Sequence, residues 1–264
     1  MSIINAIILG IIQGLTEFLP VSSSGHLVIA EHLLPGWHQT GIVFEILLHL
    51  ATLLAVIIFF RRDIFSLIKS LYTKGPEATS QRRLLMLLIL ATIPTGIIGL
   101  AGKKFFVSLF DRLDVVGVML LVTAGFLWLA ERPKIYRTKG WGRIRDAVLI
   151  GITQGLAIIP GISRSGSTIA VAMMLGIKPE RAARFSFLLS IPAISGAALL
   201  NLKEISSIPH GQITAALCGA LAALITGLIS LKLLIMIIKE RRLRIFAIYC
   251  TFAGCGALWL AFAG

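Results

Sequence analysis

Acidic residues are scarce in this chain, with 12 Asp and Glu among 264 residues against 25 Lys and Arg. Charged residues of either sign make up 14% of the sequence, where a soluble domain carries about 25%. That shortage excludes an ordinary soluble enzyme, which needs a charged coat, and the 57% hydrophobic content excludes disorder. Cysteine is also sparse. Cys218, Cys250 and Cys255 all lie in apolar runs, without Cys-x-x-Cys spacing or a nearby His, so neither a disulfide framework nor a cysteine metal site is expected. A basic region of the kind that opens a signal peptide is missing from Met1–Asn5, so the start is expected to be mature sequence.

What remains is apolar and basic, with a mean hydropathy of +0.93 and a net charge of +13. The basic residues sit in short clusters between long apolar runs, the pattern of membrane spans and their flanks rather than of a nucleic-acid surface. Six runs are long enough to cross a bilayer: Ile42–Phe60, Leu84–Leu100, Val115–Ala130, Phe185–Leu202, Ile213–Ile238 and Ile245–Ala263. Two more, Ile3–Leu19 and Ala147–Ala172, are interrupted by Pro, Gly and Ser, whose backbone cannot face lipid unpaired. Both are expected to be re-entrant hairpins of two half-helices. With the N-terminus outside, 19 Lys and Arg fall in cytoplasmic segments and 4 in outer loops, which predicts both termini on the outer side. The cytoplasmic clusters are suited to anionic headgroups.

The chain repeats itself. Ala6, Gly10, Gln13 and Gly14 recur 141 residues later as Ala147, Gly151, Gln154 and Gly155, and Ser22, Ser24 and Gly25 recur as Ser163, Ser165 and Gly166. Further on, at a spacing of 131, Ala91, Thr95 and Gly96 match Ala222, Thr226 and Gly227. One integral membrane domain, 1–264, therefore divides into halves 1–131 and 146–264. Each half holds one hairpin and three spans, and three is odd, so the second half enters from the opposite face. The expected fold is an all-α polytopic membrane protein, an inverted-topology repeat of six transmembrane helices and two re-entrant helical hairpins.

The repeat breaks where charge appears. Glu17 aligns near Ile158, Ser23 with Arg164, and His26 with Ser167. Ionisable groups at membrane depth are costly and mark function. Gln13 and Glu17 share a helix face, and Glu17 suits a general base or a metal ligand. Ser22, Ser23, Ser24, Gly25 and His26 bring hydroxyls, amides and an imidazole to one turn. Arg164 has a fork of donors matched to phosphate, and Gly161, Ser163, Ser165, Gly166 and Thr168 can turn amides and hydroxyls toward the same anion. A half-helix starting near Gly166 would add its positive end. The two hairpins together point to phosphoryl transfer inside a membrane. Glu45 and His49, four apart, could line the mouth of that site, with Ser186 and Ser190 as their repeat partners. Solvation is the expected fate of Glu31, His32 and His38, His210 in an outer loop gives no signal, and packing or interface anchoring is expected of Trp128, Trp259 and Tyr249.

Two motifs, Gln13-x-x-x-Glu17 leading into Pro20-Val-Ser-Ser-Ser-Gly-His26, and Pro160-Gly-Ile-Ser-Arg-Ser-Gly-Ser-Thr168, resemble those of the undecaprenyl-diphosphate phosphatase (bacitracin-resistance protein) family. The second motif is complete, and the first uses Gln where the family also uses Glu. The resemblance implies removal of the terminal phosphate of undecaprenyl diphosphate, with Glu17, Ser23, His26 and Arg164 as the functional set. It implies a divalent cation, Mg2+ or Ca2+, with Glu17 as its protein ligand, and a multi-pass protein of the bacterial inner membrane whose site opens to the periplasm. The expected partners are a polyprenyl diphosphate and membrane lipids, with a homodimer as a candidate assembly. On this reading Ser23 is the nucleophile and His26 its base, with attack by His26 or by water as the alternatives. A lipid-phosphate transporter or flippase on the same frame is the rival function.

Overall fold

The computed structural model describes residues 2–33, 41–132, 136, 140–201, 212–240 and 242–263. Among them every regular element is a helix. In the first half these are α1 (Ile3–Phe18), α2 (Ser23–Leu33), α3 (Gly41–Phe59), α4 (Arg61–Ser70), α5 (Pro76–Ala101), α6 (Lys103–Val107) and α7 (Leu113–Ala130). The second half contributes α8 (Ile144–Leu156), α9 (Arg164–Met174), α10 (Pro179–Leu200), α11 (Ile213–Lys239) and α12 (Arg244–Ala263).

Local chemistry sets most of the ends. Ser2 caps α1 by accepting from the amide of Asn5 at 3.1 Å, and Pro20, which lacks an amide, closes it off. Pro76 and Pro179 open α5 and α10, where a missing amide costs nothing. Asp146 reaches back to accept from the Arg143 amide at 2.8 Å and so fixes the start of α8. Five helices are long and apolar enough to cross a membrane: α5, α7, α10, α11 and α12. The sixth expected span is α3, which bends by 69° into the short, amphipathic α4 and passes the same test together with it. Apolar side chains such as Ile97, Leu217, Phe252 and Phe262 stand exposed around the outside, as a lipid-facing surface requires. Both interrupted stretches fold as helix pairs, α1 with α2 and α8 with α9.

Helix contacts come in pairs that map onto each other when the halves are exchanged. The longest helix contact runs between α1 and α11, and its counterpart between α8 and α5. Likewise α3 packs on α11 and α10 on α5, while α7–α12 and α3–α10 are their own counterparts. Small residues bring these backbones together. A Cβ on Gly10 would collide with the carbonyl of Gly219, and one on Gly151 with the carbonyl of Ala91. At the α7–α12 crossing, Gly117 and Gly254 each face the other's carbonyl, 2.9 and 2.8 Å from where a Cβ would stand. Thr95 ties one of these seams by donating to the Gly151 carbonyl at 2.8 Å. Beneath the hairpin turns, Phe18 and Phe187 meet edge to face with centroids 5.8 Å apart, and Phe60 packs on Phe187 at 5.7 Å.

Candidate active site

The two hairpin turns are built on one plan. In the first, Ser22 takes a left-handed conformation (φ 70°), the only non-glycine residue to do so among those described. Such a conformation costs of order 1–3 kcal/mol and persists where surrounding structure enforces it. Here its hydroxyl accepts from the Gly25 amide at 3.3 Å and its carbonyl from the His26 amide at 3.1 Å, which starts α2. In the second, Gly161 supplies the left-handed residue (φ 96°), and the Ser163 hydroxyl accepts from the Gly166 amide at 3.0 Å. α9 therefore begins at Arg164, two residues before the expected Gly166. Thr123 of α7 pins this turn, donating to the Gly161 carbonyl at 2.9 Å and accepting from the Ser163 amide at 3.0 Å.

The turns touch. A Cβ on Gly25 would lie 3.2 Å from Gly161 Cα, and one on Gly166 would lie 3.0 Å from Pro20 Cβ. Ser165 donates to the Leu19 carbonyl at 3.5 Å, and Cys250 of α12 approaches the Pro20 carbonyl at the same distance. The positive ends of α2 and α9 thus lie together, an arrangement that favours an anion.

Glu17 is the hub, 7% exposed. Arg164 Nη2 donates to its Oε1 at 2.5 Å, joining side chains 147 residues apart. Its Oε2 accepts from Ser23 Oγ at 2.6 Å and from Gln13 Nε2 at 3.0 Å. His49 Nε2 stands 3.7 Å from the same oxygen, with its ring held by a 2.8 Å contact between Nδ1 and the Glu45 carbonyl. Glu17, Ser23, Arg164 and Gln13 are therefore brought together, and His49 joins them from α3. Within this cluster two buried atoms have no hydrogen-bond partner, Arg164 Nη1 and Gln13 Oε1. An unpaired buried donor costs about 1–3 kcal/mol, and this one stands beside a carboxylate and a hydroxyl.

His26 lies elsewhere in the same turn. Its Nδ1 is 2.8 Å from the Ser22 carbonyl and its Nε2 is 2.6 Å from the Tyr249 hydroxyl. The expected pairing of His26 as base for Ser23 is therefore corrected. The left-handed Ser22 swings its carbonyl onto one ring nitrogen, Tyr249 takes the other, and the partner of Ser23 is Glu17. The remaining sequence candidates act mostly within the fold. Ser22 lies 3.4 Å from Ser24, Ser163 lies 3.3 Å from Ser165, and Thr168 pairs with Ser186 at 2.6 Å while also donating to the Arg164 carbonyl at 2.7 Å. Ser190 is spent on the Phe187 carbonyl. His38, His210 and the side chains of Glu31 and His32 lie outside the described residues. Tyr249 is the contact that the sequence did not reveal, because nothing in the α12 pattern marks one tyrosine as turned inward.

Among the described residues no three His, Cys, Asp or Glu groups cluster closely enough to hold a metal by themselves. A hard cation bound to phosphates needs only one or two protein oxygens, and Glu17 with the unpartnered Gln13 Oε1 one helical turn earlier meets that requirement.

Known proteins are similar to this chain along nearly its whole length. The family model described as bacitracin resistance protein BacA matches residues 6–256. An undecaprenyl-diphosphatase of Syntrophotalea carbinolica is 49% identical over 255 residues, covering 96% of this chain and 97% of that protein. Proteins of the same name from Korarchaeum cryptofilum and Methanosphaera stadtmanae are 43% and 42% identical, covering 98% and 96% of this chain and 100% and 96% of their own. With both hairpin motifs inside the matched region and their side chains converging on Glu17, the chain belongs to the bacitracin resistance protein BacA family.

Proposed function

We propose that this chain hydrolyses undecaprenyl diphosphate within the membrane, releasing phosphate and undecaprenyl phosphate, a lipid carrier that cell-wall synthesis reuses. The observation that carries this reading is Arg164, a partly buried guanidinium with its buried Nη1 unspent, set against the Glu17–Ser23 pair. Its planar fork suits two phosphate oxygens, and the two helix starts add positive potential on either side.

Ser23 Oγ attacks the terminal phosphorus, and its proton passes to Glu17 Oε2, the atom it already touches. The bond from that phosphorus to the bridging oxygen breaks, and the electron pair leaves on undecaprenyl phosphate. Water then attacks the phosphoserine. His26 takes a proton from that water, through the hydroxyl bonded to its Nε2, and hands it back to the departing phosphate, while Ser23 regains its own proton from Glu17. Arg164 stabilises the charge on the transferring group throughout. A divalent cation held by Glu17 and Gln13 would, when bound, neutralise part of the diphosphate charge. The basic clusters support an orientation with both termini toward the outer face, the family resemblance implies a site opening to the periplasm, and the exchange-matched helix contacts support the inverted repeat.

Phosphate release from undecaprenyl diphosphate by purified protein in detergent tests the reading. The wild type is expected to turn over, and Ser23→Ala to lose at least about 100-fold in kcat. A Ser23→Ala variant as fast as wild type would remove serine as nucleophile. A wild type releasing no phosphate, yet moving the lipid across vesicles, would favour a transporter.

A further inference from the structure

We infer that Tyr249 of α12 is the proton relay to His26, its hydroxyl donating to the Nε2 lone pair while its oxygen is open to accept the proton of the attacking water. The inference rests on the reading of His26 as part of the site. Tyr249 belongs to a stripe with Ile245, Ile248 and Phe252, which are 56%, 50% and 75% exposed on the outside of the bundle. A tyrosine on a lipid-facing stripe ordinarily sends its hydroxyl toward the headgroups. This one turns inward to bond an imidazole 223 residues away at 2.6 Å, the two rings lying within 12° of parallel with centroids 5.6 Å apart.

The hydrogen-bond chemistry allows one assignment for the neutral ring. A carbonyl oxygen only accepts, so the Nδ1 that sits 2.8 Å from the Ser22 carbonyl carries the ring proton. Nε2 is then a lone-pair nitrogen, and Tyr249 donates to it. Without that second bond, the ring is held at one nitrogen only and can swing about it. With it, tautomer and orientation are both fixed, and a proton reaches Nε2 by way of the Tyr249 hydroxyl. The scaffold delivering Tyr249 is firm: Cys250 beside it contacts the Pro20 carbonyl at 3.5 Å, and α12 crosses α7 at the Gly117–Gly254 contact. The half that supplies Arg164 therefore also supplies the partner that orients His26.

Tyr249→Phe keeps the ring and its packing and removes only the hydroxyl, so it separates the relay from folding. For the full chain in detergent, kcat on undecaprenyl diphosphate is expected to fall about 10-fold with KM within about twofold, since the loss is in the reacting geometry rather than in binding. In histidine-labelled protein, the Nε2 nitrogen resonance of His26 is expected to move to that of an unbonded lone pair while Nδ1 keeps its proton. The double variant His26→Ala/Tyr249→Phe is expected to be no slower than His26→Ala alone. An unchanged kcat in Tyr249→Phe, an unmoved Nε2 resonance, or losses that multiply in the double variant would each overturn the inference. A fully active His26→Ala would instead remove His26 from the mechanism, and Tyr249 with it.

Discussion

Glu17 meets a guanidinium, a hydroxyl, a carboxamide and, slightly farther off, an imidazole. Two of those partners are chemically opposed in what they need: Arg164 needs a negative charge, and Ser23 needs a place to leave a proton. Glu17→Gln separates these demands. It keeps the shape and one acceptor but cannot take the serine proton, so kcat is expected to fall about 100-fold or more. It also releases Arg164 from its ion pair, so KM for the diphosphate is expected to stay level or drop. Steady-state kinetics on the purified variant check both, and a raised KM with unchanged kcat would make Glu17 a binding group only. Glu17, Ser23 and Arg164 were legible in sequence because they break a repeat that otherwise holds. The partners of His26 were not, since they depend on the backbone angle of Ser22 and on a tyrosine in the last helix.

The elements that carry these side chains are helices interrupted on purpose. Each hairpin turn spends a left-handed residue, Ser22 or Gly161, to start a new helix at the point where the other hairpin does the same. The seams that hold them depend on glycine, and Gly151, which meets the Ala91 carbonyl and the Pro94 ring, shows the cost. Gly151→Val is expected to destabilise the protein by about 1–3 kcal/mol through overpacking, visible as a lower midpoint in thermal unfolding in detergent. An unshifted midpoint would mean that α8 and α5 do not pack this closely. The spans and both broken stretches were readable from hydropathy and from the placement of Pro, Gly and Ser. Two short helices, α4 and α6, were not, because Arg61–Ser70 and Lys103–Val107 are too short to cross a membrane and each buries a single large apolar side chain, Leu67 and Phe106. Nor could spacing alone show that α9 begins at Arg164, which depends on Ser163 turning its hydroxyl onto the Gly166 amide.

For the molecule as a whole, the consequence is that neither half holds a complete site. The first supplies Glu17, Ser23, His26 and His49, and the second supplies Arg164 and Tyr249, with exchange-matched contacts such as α1–α11 and α8–α5 locking the two together. The duplication itself could be seen in the sequence from Gln13 and Gln154 or Ser22 and Ser163. The joint between the halves could not, because no local pattern says that Gly25 rests on Gly161. The most direct test of that joint is the binding of undecaprenyl diphosphate to the Ser23→Ala protein, expected to be catalytically silent, with and without Arg164→Lys. Losing the fork from the second half is expected to raise Kd about 10- to 100-fold, the worth of a charge-assisted hydrogen bond. Equal affinity in the two proteins would contradict a site shared across the halves.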